Sequence, residues 1–254
     1  MEYIRENREE FLGGYKVEYI FEAVKDNIYV LAVWDESWGS YNNCYFIVEE
    51  QSVTLIDSGK QQHAVFIEQA LHSIEKSVDD VILCLATHGH EDHVQAASIF
   101  KHAKKVIHPN ERDMIESPEP EQFLYDLPSD GHFGEFDCQL VGYHTPGSVV
   151  FYHKPSKILF TGDFLCFFGD PLSPDGLVSV GTELREEWLK YLRNGGVSDK
   201  HLPPFLSGLE ILSTFDPEAM CSGHGGVLTG EINEFILALL KTGEKLLETA
   251  QLTE

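Results

Sequence analysis

Thr87-His88-Gly89-His90-Glu91-Asp92-His93 follows directly on the apolar run Val81-Ile82-Leu83-Cys84-Leu85-Ala86 and packs three imidazoles and two carboxylates into six positions. Imidazole nitrogen and carboxylate oxygen are donors for zinc, and equally for iron or manganese. Extended chain sends alternate side chains to one side, so His88 and His90 point together. Asp92 and His93, at the start of a following helix, aim elsewhere. One metal can therefore take His88 and His90 while a neighbour takes Asp92 and His93. Gly89 reads as a position where a side chain would crowd the ions. A lone histidine is more often a surface group or a satisfied core residue. Four donors this dense, buried with no cation to share, would be costly to leave unpaired.

Upstream of this segment, residues 15–21, 28–34, 45–48 and 53–56 are rich in β-branched and aromatic side chains and predict strands in hairpins or a meander. Asp57-Ser58-Gly59 breaks the last of them. Val65, Phe66, Ala70, Leu71 and Ile74 then give residues 63–74 a helical spacing. Residues 81–86 read as an interior strand, with a helix expected over about 92–102 and a strand at 105–107. That order of elements points to α/β layering, with at least one sheet covered by helices.

Downstream, residues 114–134 are rich in Pro, Glu and Asp and are read as a partly helical excursion near the rim of a site. Strands return at 138–141, 149–152 and 158–160, and residues 167–178, with Gly169, Pro171, Pro174 and Gly176, read as a loop. A helix is expected over 183–192, a connection at Pro203-Pro204, and a short helix over 208–214. Ile232, Phe235, Ile236, Leu239 and Leu240 mark a long amphipathic helix over 231–250, whose stripe Gly243 interrupts. With no repeat and no boundary visible, residues 1–254 are read as one domain.

The chain carries 42 acidic residues against 18 Lys and Arg, a formal net charge of -24. Such a surface repels polyanions, so nucleic acid is disfavoured as a partner and a small-molecule substrate is expected. There is no GxGxxG turn, no GxxxxGK[ST] loop and no GxSxG elbow. No apolar run is long enough to cross a bilayer, and Met1 to Arg8 lacks an apolar stretch behind a basic start. The five cysteines, at 44, 84, 138, 166 and 221, form no CxxC pair. They read as reduced core thiols, which places the chain in the cytoplasm and away from membranes. Oligomeric state is not legible.

Three further motifs carry donors. Tyr143-His144-Thr145-Pro146-Gly147-Ser148 lies between two predicted strands, Thr161-Gly162-Asp163 follows Ile158-Leu159-Phe160, and Ser222-Gly223-His224-Gly225-Gly226 forms a glycine-rich turn. Singly, Asp163 fits a turn cap and His224 a surface group. Together they complete the donors for two metals, one of them a carboxylate able to bridge. With these motifs in place, the chain resembles the metallo-β-lactamase-fold superfamily, binuclear branch. Residues 88–93 match its HxHxDH signature, and His144, Asp163 and His224 fall in its later ligand motifs in the same order. Asn43-Cys44-Tyr45-Phe46-Ile47-Val48 and Leu55-Ile56-Asp57-Ser58-Gly59 look like its first strands, so the resemblance runs from about residue 25 to residue 230.

The resemblance implies a four-layer αβ/βα sandwich, two mixed sheets flanked by helices, with metals at one edge between the sheets. It implies His88, His90 and His144 on a first metal, Asp92, His93 and His224 on a second, and Asp163 bridging them. Asp57 would support the ligands from behind. The cofactors implied are two divalent ions, zinc first, with iron or manganese open because donor type alone does not choose. The implied activity is hydrolysis of a small ester, thioester or lactone by a hydroxide held between the ions, with Asp92 or Asp163 relaying a proton. A phosphodiesterase of the same fold, a one-iron enzyme resembling persulfide dioxygenases and a non-catalytic metal- or ligand-binding module are the alternatives. Phe164, Phe167, Phe168, Trp34 and Trp38 are candidates for an apolar mouth, or else ordinary packing residues.

Overall fold

In β3 (Ile28–Asp35), Val30 and Ala32 face one way and Leu31 and Val33 the other, and each pair is buried in a different core. This period-two alternation, with both faces apolar, requires cover on both sides of the sheet. The same holds in β12 (Ile158–Gly162), where Ile158 and Phe160 enter one core and Leu159 another. The computed structural model describes residues 5–12, 15–115, 123, 125–168 and 176–251.

Two mixed sheets result. The first runs β1 (Arg5–Leu12), β2 (Tyr15–Lys25), β3, β4 (Ser40–Val48), β5 (Val53–Ile56), β6 (Val81–Leu85), β7 (Lys104–Ile107) and β8 (Tyr125–Asp126), in that spatial order. Its pairs are antiparallel as far as β5 and parallel from β5 to β8. The second contains β9 (Asp130–Phe133), β10 (Phe136–Leu140), β11 (Val149–His153), β12, β13 (Val178–Ser179), β14 (Ala219–Ser222) and β15 (Val227–Thr229), in the spatial order β13-β15-β14-β12-β11-β10-β9.

Between the sheets lies a core to which Val30, Tyr45 and Leu85 contribute from one side and Phe151, Phe160 and Cys221 from the other. Helix α1 (Ala64–Ser73) covers the outer face of the first sheet through Phe66, Ile67 and Leu71. Helices α3 (Thr182–Arg193), α4 (Leu202–Leu212) and α5 (Ile232–Gln251) cover the second. Each large apolar side chain moved out of water in this way contributes about 1.5–3 kcal/mol. The five cysteines are all free and buried, and no helix among the described residues is long and apolar enough to cross a membrane.

Several expectations are corrected. The helix expected over 92–102 is only one turn, α2 (Glu91–Val94), followed by a 3-10 stretch over Gln95–Ile99. There the Ala96 N–H bonds the Gly59 carbonyl, so the ladder is spent on the neighbouring loop. The excursion over 114–134 is a 3-10 turn at Pro109–Met114 and then the strands β8 and β9; residues 116–122 and 124 lie outside the described residues. The loop expected over 167–178 yields β13 at its end, and residues 169–175 are likewise outside. Pro203 and Pro204 do not make a connection. They sit in the first turn of α4, where their missing N–H groups have no helical partner to lose. Gly243 lies inside α5 because a Cβ there would stand 2.4 Å from Leu206 Cδ2 on α4.

Gly208 of α4 is a closer constraint, since a Cβ would come within 2.3 Å of the buried Phe164 ring. Gly208→Val is expected to lower stability by about 2 kcal/mol through overpacking, read from the midpoint of urea unfolding. An unchanged midpoint would mean that Phe164 is not wedged against α4.

Candidate metal centre

Every donor singled out in the sequence sits just past the end of a strand. Asp57 follows β5, residues 88–93 follow β6, and His144 lies beyond β10, Asp163 beyond β12 and His224 beyond β14. β5 and β6 are parallel, so their ends share one edge. β10 and β12 are both antiparallel to β11, and β12 is parallel to β14, so these three ends share an edge too. Bonds between the sheets close the two edges on each other: Val149 N–H to Thr87 O at 2.9 Å and Asn43 N–H to Gly223 O at 2.8 Å. Tyr45 adds its hydroxyl on Ser222 O at 2.5 Å.

Asp57 orders the first loop from behind. Its Oδ1 accepts from Thr87 N at 2.8 Å, and its Oδ2 accepts from Thr87 Oγ1 at 2.8 Å and faces His93 Nδ1 at 2.9 Å. Because the Thr87 hydroxyl proton is committed to Asp57, the 3.1 Å contact from Thr87 Oγ1 to His88 Nδ1 takes its proton from the imidazole. Both rings thus carry hydrogen on Nδ1, and both Nε2 atoms turn into the site.

Two triads of donors result. His88 Nε2 and His144 Nε2 each stand 3.0 Å from His90 Nδ1. One nitrogen, with a single proton or lone pair, cannot satisfy both neighbours, whereas nitrogens 2.0–2.1 Å from a shared zinc stand about 3.3 Å apart. Asp92, His93 and His224 form the second triad, and His88, His93 and Asp163 a group between them; in each the donor atoms lie within 4.8 Å of one another. Asp163 faces both sides. Its Oδ1 is 3.3 Å from His93 Nε2, and its Oδ2 is 3.4 Å from His224 Nε2, 3.5 Å from His144 Nε2 and 3.9 Å from His88 Nε2.

The charges and burial of these side chains show what the cluster demands. Burial alone pushes His224 down, but contacts with Asp163 and Asp92 outweigh it and hold the imidazole at about 9. His93 is likewise lifted well above the ordinary range against its burial, by the charges of Asp163 and Asp57. Asp163 is held well below the usual carboxylate range, its burial outweighed by His93 and His224. Asp92 is lowered too, against burial, by His224 and His93. Burial and the neighbouring His93 drive His88 well below its ordinary value, so it is a neutral donor. The carboxylates thus pull protons onto imidazoles to supply positive charge. His93 Nε2 is buried with no hydrogen-bond partner. A pair of divalent cations fits this donor set on both counts.

Some of the architecture gave no sign in the sequence. Buried Glu111 ties the first histidine loop to the one bearing His144: Oε2 accepts from Gly89 N at 2.7 Å and Oε1 from Gly147 N at 2.5 Å. Gly89 is therefore explained differently from the sequence expectation, since a Cβ there would meet the Glu111 carbonyl at 2.7 Å rather than the ions. A Cβ on Gly223 would stand 2.2 Å from Asp163 Oδ1. Of the aromatic candidates, Phe168 and Trp38 are 54% and 58% exposed and lie over His224, with ring centroids at 5.0 and 6.4 Å. Phe164 and Phe167 line an apolar cavity beside Asp163. Trp34 packs against Tyr41 at 5.2 Å and borders neither this cavity nor the one holding the histidines.

A sequence profile of the metallo-beta-lactamase superfamily matches residues 38–135. A probable metallo-hydrolase of Bacillus subtilis, YybB, is 30% identical over 205 residues, 71% of this chain and 79% of that protein. The hydroxyacylglutathione hydrolase GloC of Haemophilus influenzae is 30% identical over 145 residues, 48% of this chain and 66% of that one. The chain belongs to the metallo-β-lactamase superfamily. Among solved structures, a flavo di-iron protein variant from Thermotoga maritima superposes with a TM-score of 0.69 at 18% identity, over 94% of this chain but 62% of that one. The rubredoxin oxygen:oxidoreductase of Desulfovibrio gigas gives 0.66 at 16%, over 88% of this chain and 61% of that one. This chain therefore spans about three-fifths of these structural neighbours.

Glu111→Gln places an amide N–H against one of the two backbone donors. Metal affinity is expected to fall about 10- to 100-fold, measured by competition with a chromogenic chelator. Unaltered affinity would mean that the two histidine loops hold their positions without this carboxylate.

Proposed function

We propose that this chain is a binuclear metal-dependent hydrolase of a small ester, thioester or lactone. The observation that carries the reading is Asp163, whose two oxygens face both donor triads on the wall of a cavity of about 490 Å³. In the reaction, a water oxygen bonds to the acyl carbon, the bond from that carbon to the leaving oxygen or sulfur breaks, and a water proton passes to the leaving atom. Two divalent ions at the triads would supply Lewis acidity that lowers the pKa of water and steadies negative charge on the carbonyl oxygen.

The protein's own share is positioning. His88, His90 and His144 would hold one ion and Asp92, His93 and His224 the other, with Asp163 shared between them and Asp57 fixing the His93 ring. Asp92 or Asp163, both held ionised by the neighbouring imidazoles, would relay the proton. Trp38 and Phe168 cover His224 and shed water from that side. Ser148 offers no competing nucleophile, because its hydroxyl donates to Thr145 O at 2.9 Å inside a buried turn. Zinc is the ion we favour. The five buried free thiols support a reducing compartment, the cytosol.

The architectural likeness to flavo di-iron proteins and to an oxygen:oxidoreductase favours a second reading, an iron enzyme that reduces dioxygen with electrons from an external donor. The same donor set suits iron. The solved structures lean toward this reading, and the sequence relatives, a probable metallo-hydrolase and a hydroxyacylglutathione hydrolase, lean toward hydrolysis.

The two readings part in one experiment. Protein loaded with zinc or with iron is given esters, thioesters, lactones and a phosphodiester, and separately a reductant under air. The hydrolase reading expects turnover of an acyl substrate, falling about 10²-fold or more in Asp163→Ala. Oxygen uptake by the iron form, with no hydrolysis by either, would establish the second reading instead.

A further inference from the structure

Two cavities meet at Asp163 and Phe168. The one holding the histidines has Ser37, Lys60 and Glu91 on its wall beside Trp38 and Phe168. The other, about 390 Å³, leads away from Asp163 between Tyr143, Phe164, Leu184, Trp188 and Tyr191. A third hollow of about 400 Å³ shares Glu187 and Tyr191 with it and extends the path to Gly196. Leu184, Trp188 and Tyr191 are four and three residues apart on α3, which puts them on one face of that helix.

The walls of this arm are held in place. The Trp188 indole donates through Nε1 to the Cys166 carbonyl at 2.6 Å and stacks on Phe205 with centroids at 5.9 Å and an interplanar angle of 8°. Phe164 lies 5.4 Å from the same Phe205 ring, and Tyr143 5.6 Å from Phe164. Gly196 leaves room for Tyr191, since a Cβ there would stand 2.3 Å from the ring. Among the described residues that line the inner arm, none is cationic; its two carboxylates are Asp163 at the inner end and Glu187 at the rim. An anionic arm of a substrate would meet Asp163 and Glu187 in the inner arm, with Lys190 on the wall only of the outer hollow, and a strongly polar one would lose water against walls that are mostly aromatic.

We propose that this channel seats an unbranched, uncharged acyl chain, with the acyl carbon beside Asp163 and the chain running along α3 past Trp188 to Tyr191, while the leaving group occupies the cavity that holds the histidines. The assignment rests on the hydrolase reading and narrows it to acyl esters, thioesters or lactones with an extended alkyl arm.

The test uses metal-loaded protein and two chain-length series, straight-chain acyl thioesters for turnover and straight-chain primary amides, which carry no charge, for binding by calorimetry. Both kcat/KM and affinity are expected to rise about threefold to fourfold per methylene, from about four to about ten carbons, as each methylene leaves water. Trp188→Ala should flatten both slopes. Because that substitution also removes a packed indole, Tyr191→Ala, at a residue 51% exposed on the rim, serves as the second variant and should flatten the long-chain end alone. Amides that bind with the expected slope, while no thioester or ester is cleaved, would keep the channel and overturn the hydrolase reading. Short thioesters cleaved with no gain on lengthening, and amides that bind equally at every length, would overturn the channel and leave that reading intact.

Discussion

Lone pairs and negative charges brought together out of water must find positive charge, and the rest of this structure is arranged around that demand. Asp92 and Asp163 are ionised, and the Nε2 atoms of His88 and His93 point at the same space. Leaving an ionised carboxylate buried without a partner costs several kcal/mol, so such a cluster persists only if cations or protons fill it. The rise of His93 and His224 above their ordinary range is the proton-based answer. Divalent ions are the answer that also leaves these imidazoles neutral and able to act as ligands.

Local chain could not gather these groups, so the sandwich does. Parallel pairing of β5 with β6 and of β12 with β14 brings distant chain ends to one edge. Glycines let those ends approach: Gly162, at φ +50, has the Thr87 hydroxyl 2.6 Å from where its Cβ would be, and Gly225, at φ +72, has the Phe167 carbonyl oxygen at 1.6 Å. Asp57 and Glu111 then turn backbone N–H groups into anchors for the two histidine loops. The donors are held by the sheets' own hydrogen bonding, which sets the directions in which they point.

How much of this was readable in the sequence depended on the range of the forces involved. The donors of residues 88–93 were legible because their spacing is local, and His144, Asp163 and His224 because each sits in a short turn motif after an apolar run. The layered fold followed from alternation in segments such as 28–34 and 158–160. The helix expected beyond Asp92 stops short because the Ala96 N–H is diverted to Gly59, a partner nearly forty residues upstream that periodicity cannot see. Pro203 and Pro204 misled because proline ends a helix interior yet fits a first turn. Glu111 was invisible: in His108-Pro109-Asn110-Glu111-Arg112 it looks like one more surface acid, and only the fold shows it buried between two loops. The aromatic channel is half visible in the sequence, where Phe164, Phe167 and Phe168 stand out beside Asp163 while the opposite wall on α3 shows only a helical spacing.

The central claim is that seven imidazoles and carboxylates surround two ions, and metal stoichiometry tests it most directly. Protein stripped of metal, reloaded with excess zinc, desalted and analysed by mass spectrometry for metal per chain is expected to retain about two ions. A well-folded protein that keeps none, or that keeps one and still has all seven side chains in place, would contradict it.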